Sequence, residues 1–202
     1  AEIETTNEVV SFTDISENLA RYSQDYTNAV YTKGGSTTLT AGQTDPEGGI
    51  TATRLEMPNT SGTYIRQTIS LLDATEYTIS YYLKEYNAGD AIQLNLQQSG
   101  GGGVQNTTTT STADWVRVSV QYTTSAAGNH NIGWNNSGAT DVLIWGLQVE
   151  KAGAATTYLP TTSAALVGLT DVTRGVNGTT ATLATSGDAI QQLPYALSDL
   201  NM

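Results

Sequence analysis

TEYTISYYLKEY (75–86) alternates without a break. Tyr77, Ile79, Tyr81 and Leu83 fall on one side, and Thr78, Ser80, Tyr82, Lys84 and Tyr86 on the other. A period of two places successive side chains on opposite faces of a strand, so this segment is a half-buried β-strand. Two further stretches repeat the pattern. AIQLNLQQ (91–98) turns Ile92, Leu94 and Leu96 inward and Gln93, Asn95 and Gln97 outward. WVRVSVQY (115–122) turns Val116, Val118, Val120 and Tyr122 inward, leaving Trp115, Arg117 and Gln121 outward.

Working outward, GQTDPEGG (42–49) and PNTSG (58–62) are turn clusters that bound strands around Leu39, Ile50–Met57 and Tyr64–Leu72. SGGGGVQNTTTTSTAD (99–114) has no apolar period and reads as a loop or hairpin tip. DVLIWGLQVE (141–150) is apolar at both parities near Val142–Leu147, which predicts a strand covered on both faces. Trp134 and Trp145 have inward parity and are expected in the core. Residues 14–22 and 25–30 have room for no more than a helical turn. Short strands spaced by turn signals, with no helical window, predict an all-β sandwich or barrel.

The chain has 202 residues, enough for one sandwich and a small appendage. Its net charge is -11, with only 13% charged residues. Phosphate recognition needs clustered Lys and Arg, so nucleic acid is not the expected partner, and anionic lipid is disfavoured for the same reason. No apolar run approaches the length of a membrane span. There is no cysteine, which removes disulfides, thiol nucleophiles and thiolate metal sites together. His130 is the single histidine, expected in a turn or at the surface, so no His-pair metal site or Ser-His triad is expected. The carboxylates form no visible glycosidase pair. Asp14, Asp45, Glu47 and Asp141 are the loose candidates for a structural Ca2+, without the spacing of a calcium loop, and no other cofactor is expected.

Five motifs then occur in order: NLARYSQDYTNAVYTK (18–33), DPEGGITATRL (45–55), YIRQTISLLDATEYTISYYLK (64–84), WVRVSV (115–120) and IWGLQVEKAGAATTYLPTT (144–162). The series resembles a jelly-roll module of bacteriophage tail and virion-surface proteins, itself similar to carbohydrate-binding modules. Tyr26 stands where that pattern has Phe, Tyr31 where it has Trp, and the turn reads DPEGG rather than Pro-Asp-Gly. A second resemblance, to phage tail-fibre proteins, lies in LTDVTRGVNGTTATLATSGDAI (169–190). The implied organisation is an N-terminal arm (1–17), a jelly-roll β-sandwich (18–162) closed by its first and last motifs, and a C-terminal extension acting as an assembly element (163–202).

The resemblance implies a non-enzymatic virion structural protein on the particle surface, either a tail-fibre or baseplate component or a capsid decoration protein. It also implies other virion proteins as partners and a homo-oligomer, a trimer by analogy. The alternative is a glycan-binding adhesin module for host attachment. A third reading is an accessory module of a polysaccharide-degrading enzyme. Sugars are recognised by aromatic stacking and convergent polar groups. Tyr82, Lys84, Tyr86, Gln93, Asn95, Gln97, Trp115, Arg117 and Gln121, placed on one outward face, offer such a surface. Tyr and Arg also form subunit interfaces, so the same residues are candidates for either role.

Overall fold

The computed structural model describes residues 10–11, 14–100, 103–135, 138–170 and 173–174. It forms two compact units. In the smaller, made of residues 1–13 and 171–202, β1 (Val10–Ser11) pairs with β14 (Thr173–Arg174). The tail-fibre-like stretch beyond residue 174 lies outside the described residues.

The larger unit, Asp14–Thr170, contains no helix among the described residues. Its strands are β2 (Asp14–Asn18), β3 (Tyr31–Gly34), β4 (Thr38–Gln43), β5 (Ala52–Met57), β6 (Tyr64–Leu71) and β7 (Glu76–Glu85). They continue with β8 (Ala91–Gln98), β9 (Val104–Thr110), β10 (Val116–Thr123), β11 (Gly128–Asn135), β12 (Thr140–Glu150) and β13 (Leu166–Thr170). Two five-stranded sheets result, sheet I in the order β10-β7-β12-β5-β4 and sheet II in the order β3-β6-β11-β8-β9. β13 pairs separately with β2, and every pairing is antiparallel. The strand Asp14–Asn18 replaces the helical turn expected there. Residues 25–31 do form turns, with Asn28 N–H donating to Asp25 O (3.3 Å) and Tyr31 N–H to Asn28 O (3.0 Å).

The alternating strands bury the residues their period assigns. Tyr77, Ile79, Tyr81 and Leu83 from β7 and Ile92, Leu94 and Leu96 from β8 are in the core. β10 is the edge of sheet I, so its inward side is only partly covered: Val118 and Val120 are half-buried and Val116 is exposed. The Gly-rich stretch divides. Gly100 and Gly103 lie between β8 and β9, and VQNTTTT is an edge strand paired along β8 from Gln97↔Val104 to Ala91↔Thr110. An edge strand needs little apolar surface, which is why its sequence shows no hydrophobic period. His130 is fully buried in β11 rather than in a turn, with Nδ1 3.0 Å from Gly128 O and its ring against Tyr122.

β12 explains its own double-sided apolarity. Its register to β7 slips by one residue between Trp145 and Gln148, a β-bulge with Gly146 at φ 65. Val142 and Ile144 enter the core before the bulge, and Leu147 and Val149 after it. Trp145 is therefore buried on the outer side of sheet I, not in the inter-sheet core where simple parity put it. Trp134 does sit in the core, in edge contact with Tyr26 (5.4 Å) and Tyr81 (5.3 Å).

The first and last motifs close the sandwich. Asn18 is fully buried; its Nδ2 donates to Leu147 O (3.0 Å) and Leu159 O (2.9 Å), and its Oδ1 accepts from Ala20 N (3.0 Å) and Val149 N (3.1 Å). Ser23 Oγ lies 2.7 Å from the Tyr158 hydroxyl and accepts from Thr161 N. Tyr26 and Tyr31 find partners for the hydroxyls that Phe and Trp would lack: the Tyr26 oxygen accepts from Leu147 N, and the Tyr31 hydroxyl donates to Tyr22 O.

Candidate functional site

The nine outward residues do not share one face. Tyr82, Lys84, Arg117 and Gln121 belong to sheet I, whereas Gln93, Asn95 and Gln97 belong to sheet II, on the far side of the core. The segment 86–90 joining β7 to β8 crosses from one sheet to the other, so equal outward parity means opposite surfaces. Trp115 precedes β10 and is half-buried, and Tyr86 follows β7 and is exposed.

Much of the outer face of sheet I is covered by the chain itself. After β12, residues 151–161 lie along it as a strap. Arg117 Nη1 donates to Thr156 O (2.5 Å) and Nη2 to Ser80 Oγ (2.9 Å), Gln121 Nε2 donates to Gly153 O, and Thr78 Oγ1 donates to Ala152 O (2.7 Å). Tyr158 packs on Trp145 (4.7 Å) and Tyr82 (6.1 Å). The strap is the second surface that the apolar run in β12 required. Arg117 and Gln121 spend their donors on it, Arg117 half-buried and Gln121 still exposed.

Beyond the strap, Lys84 and Tyr86 remain accessible. The Arg54 guanidinium lies 3.8 Å from the Tyr86 ring centre, held by Asp141 through two 2.8 Å bonds and by Glu56 at 2.9 Å. Asp45 is likewise committed to protein donors, accepting from the backbone of Glu47, Gly49 and Thr51 and from the Thr51 hydroxyl. Burial alone would raise its carboxyl pKa; the Thr51, Gly49 and Glu47 bonds overcome this and hold it below its usual value. Among the described residues no three carboxylate or imidazole groups converge.

Among the described residues no such strap crosses the outer face of sheet II, and its registers set polar residues in rows across the strands. One row is Arg66, Gly133, Asn95 and Asn106. The next, to one side, is Tyr64, Asn135, Gln93 and Thr108; to the other it is Thr68, Asn131, Gln97 and Val104. Asn95 Nδ2 donates to Asn106 Oδ1 (2.7 Å) and Thr68 Oγ1 to Asn131 Oδ1 (2.9 Å), which orients the amides. Gly133 sits in the middle. It is buried, and a Cβ there would lie 2.1 Å from Ile65 O and 2.5 Å from Arg66 Cα, so the position admits no side chain and the β6 backbone packs directly against it. The Arg66 guanidinium covers the Tyr64 ring at 4.3 Å. Tyr64, Arg66, Asn131 and Asn135 were absent from the sequence-based candidates. Alternation in YIRQTISL and GNHNIGWN turns them outward, but nothing in the sequence sets those strands beside β8.

A cavity of about 310 Å3 opens elsewhere on the same unit, where the loop after β2 meets β4 and the start of β5. Tyr22, Gln24, Asp25, Ala41 and Ile50 line it.

No family model matches the chain, and the curated proteins contain no match. Solved structures do match. The tandem CBM22-1–CBM22-2 domains of Xyn10C from Paenibacillus barcinonensis align at TM-score 0.52 and 16% identity, over 70% of this chain and 47% of that one. TmCBM61, in complex with β-1,4-galactotriose, aligns at TM-score 0.51 and 13% identity, over 68% of this chain and 100% of that one. The CBM22-1–GH10 modules of endo-1,4-β-D-xylanase 10B from Clostridium thermocellum, complexed with xylohexaose, align at TM-score 0.50 and 15% identity. They cover 71% of this chain, which spans 29% of that one. The fold is a jelly-roll sandwich similar to carbohydrate-binding modules. At these identities the likeness establishes the fold alone.

Proposed function

We propose that this protein is a non-catalytic glycan-binding module that holds a polysaccharide chain across the outer face of sheet II. The observation that carries the reading is the polar face itself: three registered rows of amides and hydroxyls with one Tyr–Arg stack, in which Tyr64, Arg66, Gln93, Gln97 and Asn131 are each partly exposed. Five strands at about 4.8 Å spacing give a face roughly 19 Å wide, room for several sugar rings. Arg66 is the one charged side chain in the rows, and an amide-rich surface suits a neutral glycan.

The fold's neighbours favour this reading over a purely structural role in a virion. Placement on a virion surface, as an adhesin for host attachment, rests on the ordered sequence motifs, and assembly into a trimer rests on analogy with the proteins they resemble. Light scattering of the full chain and immunogold labelling of particles test those two proposals.

A glycan array followed by calorimetry on the best ligand tests the site. Arg66→Ala combined with Gln93→Ala removes two polar partners and is expected to weaken binding by roughly thirtyfold, at about 1 kcal/mol per hydrogen bond. Unchanged affinity would remove sheet II from consideration. Arg117→Ala is the contrasting variant, expected to lower stability without lowering affinity.

A further inference from the structure

We infer that the cavity beside Tyr22 is a second sugar subsite that takes a single neutral ring, a chain end or branch. It deepens the glycan-binding reading and rests on it, yet it is separate from the face of sheet II. At about 310 Å3 the cavity stands at the lower end of the range for small-ligand pockets, roughly 300–1,000 Å3, so it fits one ring rather than a chain.

Its walls combine what a sugar ring needs. Ile50 is 73% exposed although apolar, and Tyr22 also lines the cavity, so the lining offers apolar surface to the C–H groups of a ring. Asp25 supplies a carboxylate already oriented, since its Oδ1 accepts from Thr27 N (3.1 Å) and Thr27 Oγ1 (2.6 Å). No other hydrogen bond to Asp25's side chain occurs among the described residues, which leaves Oδ2 for a ligand hydroxyl. Gln24 adds an amide.

The wall is also rigid. Tyr22 holds a left-handed backbone, φ 51, which is strained for a non-glycine residue. Three bonds enforce it: Tyr22 N–H donates to Thr162 O (2.7 Å), and Tyr22 O accepts from Asp25 N (3.0 Å) and from the Tyr31 hydroxyl (3.3 Å). Strain kept in place by its surroundings commonly marks a binding element. The charge decides the ligand class. Asp25 in the wall and a net charge of -11 disfavour acidic sugars, leaving neutral ones.

Amide chemical-shift mapping on the full chain tests this. The probes are the methyl glycosides of glucose, galactose, mannose and xylose, with glucuronate as the acidic control. One neutral glycoside is expected to move the amides of residues 22–25, 41–42 and 50–53 saturably, while glucuronate leaves them in place. Ala41 is exposed on the edge strand β4, so Ala41→Trp fills the cavity without disturbing the core and should abolish the response. Ile50→Ser should weaken it at least fivefold, and the Arg66→Ala, Gln93→Ala pair should leave it unchanged. If these amides stay unmoved while an oligosaccharide shifts residues 64–68 and 129–135, the cavity inference fails and the sheet II reading stands. If the cavity responds and sheet II does not, the inference stands and the face is wrong. Silence at both sites, or a response that survives Ala41→Trp, overturns the inference.

Discussion

Asn18→Ala should be among the most damaging single truncations in the molecule. The side chain bonds four backbone groups at 2.9–3.1 Å: the carbonyls of Leu147 and Leu159 and the N–H groups of Ala20 and Val149. Ala20, Leu147 and Val149 are buried residues, whereas Leu159 is half-buried and can reach water. Alanine therefore orphans three buried groups, each costing about 1–3 kcal/mol, and a total of about 3–5 kcal/mol is expected. For a unit of this size that lowers Tm on the order of 10 °C. Urea unfolding followed by tryptophan fluorescence measures it, with hydrogen exchange at Ala20 and Val149 reporting locally. Asn18→Asp is the sharper control. It has the same shape but turns an oxygen toward two carbonyl oxygens, so its carboxyl is held protonated in the folded state. A folded pKa raised above the unfolded value of about 3.9 means the variant loses stability as pH rises past 4. A cost for Asn18→Ala below about 1 kcal/mol, or an Asn18→Asp variant indifferent to pH, would refute the view that this side chain locks the two ends of the sandwich together.

Three other outcomes follow from the same geometry. Gly146→Ala should destabilise by more than about 1 kcal/mol, because φ 65 disfavours a side chain and the added Cβ would sit 3.2 Å from both the Tyr158 and Tyr82 rings; chemical denaturation reads this directly. Asp45 has a folded pKa below its unfolded value, so its contribution is complete above about pH 4 and is lost as pH falls through the folded value; Asp45→Asn should flatten the acid limb of a stability–pH curve. Burial pushes the phenols of Tyr26, Tyr31 and Tyr158 above their usual value, so stability should fall as pH rises beyond about 10, where only the unfolded chain releases these protons. Spectrophotometric titration should show these tyrosines ionising only with unfolding, and reversible ionisation near pH 10, at about the ordinary phenol pKa, in the folded state would contradict it.

The sandwich was legible because its strands obey a period of two. Tyr77 to Leu83 and Ile92 to Leu96 went where alternation sent them, since a strand with one buried face has no other register. The exceptions have separate causes. Trp145 left the core because one bulge residue, Gly146, inverts parity in the middle of β12. VQNTTTT hid as a loop because an edge strand is held by backbone bonds to β8 and needs no hydrophobic face. His130 is buried although a lone histidine is usually at the surface, and the parity of GNHNIGWN held the clue: it shares a side with Ile132 and Trp134.

The candidate site shows the same division. Residue pattern alone settled that this chain makes an all-β sandwich with outward rows of Tyr, Asn, Gln and Arg, because periodicity is a local property that each strand carries by itself. That the first and last motifs belong together is what the resemblance implied; the bonds through Asn18 and Tyr158 that join them come from the structure. Which rows become neighbours is not local. Sheet order arises from crossovers such as 86–90, whose energies depend on the packing of the whole core. Only the tertiary structure could send β7 and β8 to opposite sheets, bond residues 151–161 to Arg117 and Gln121, and leave Gln93 and Gln97 partly exposed beside Arg66 and Asn131.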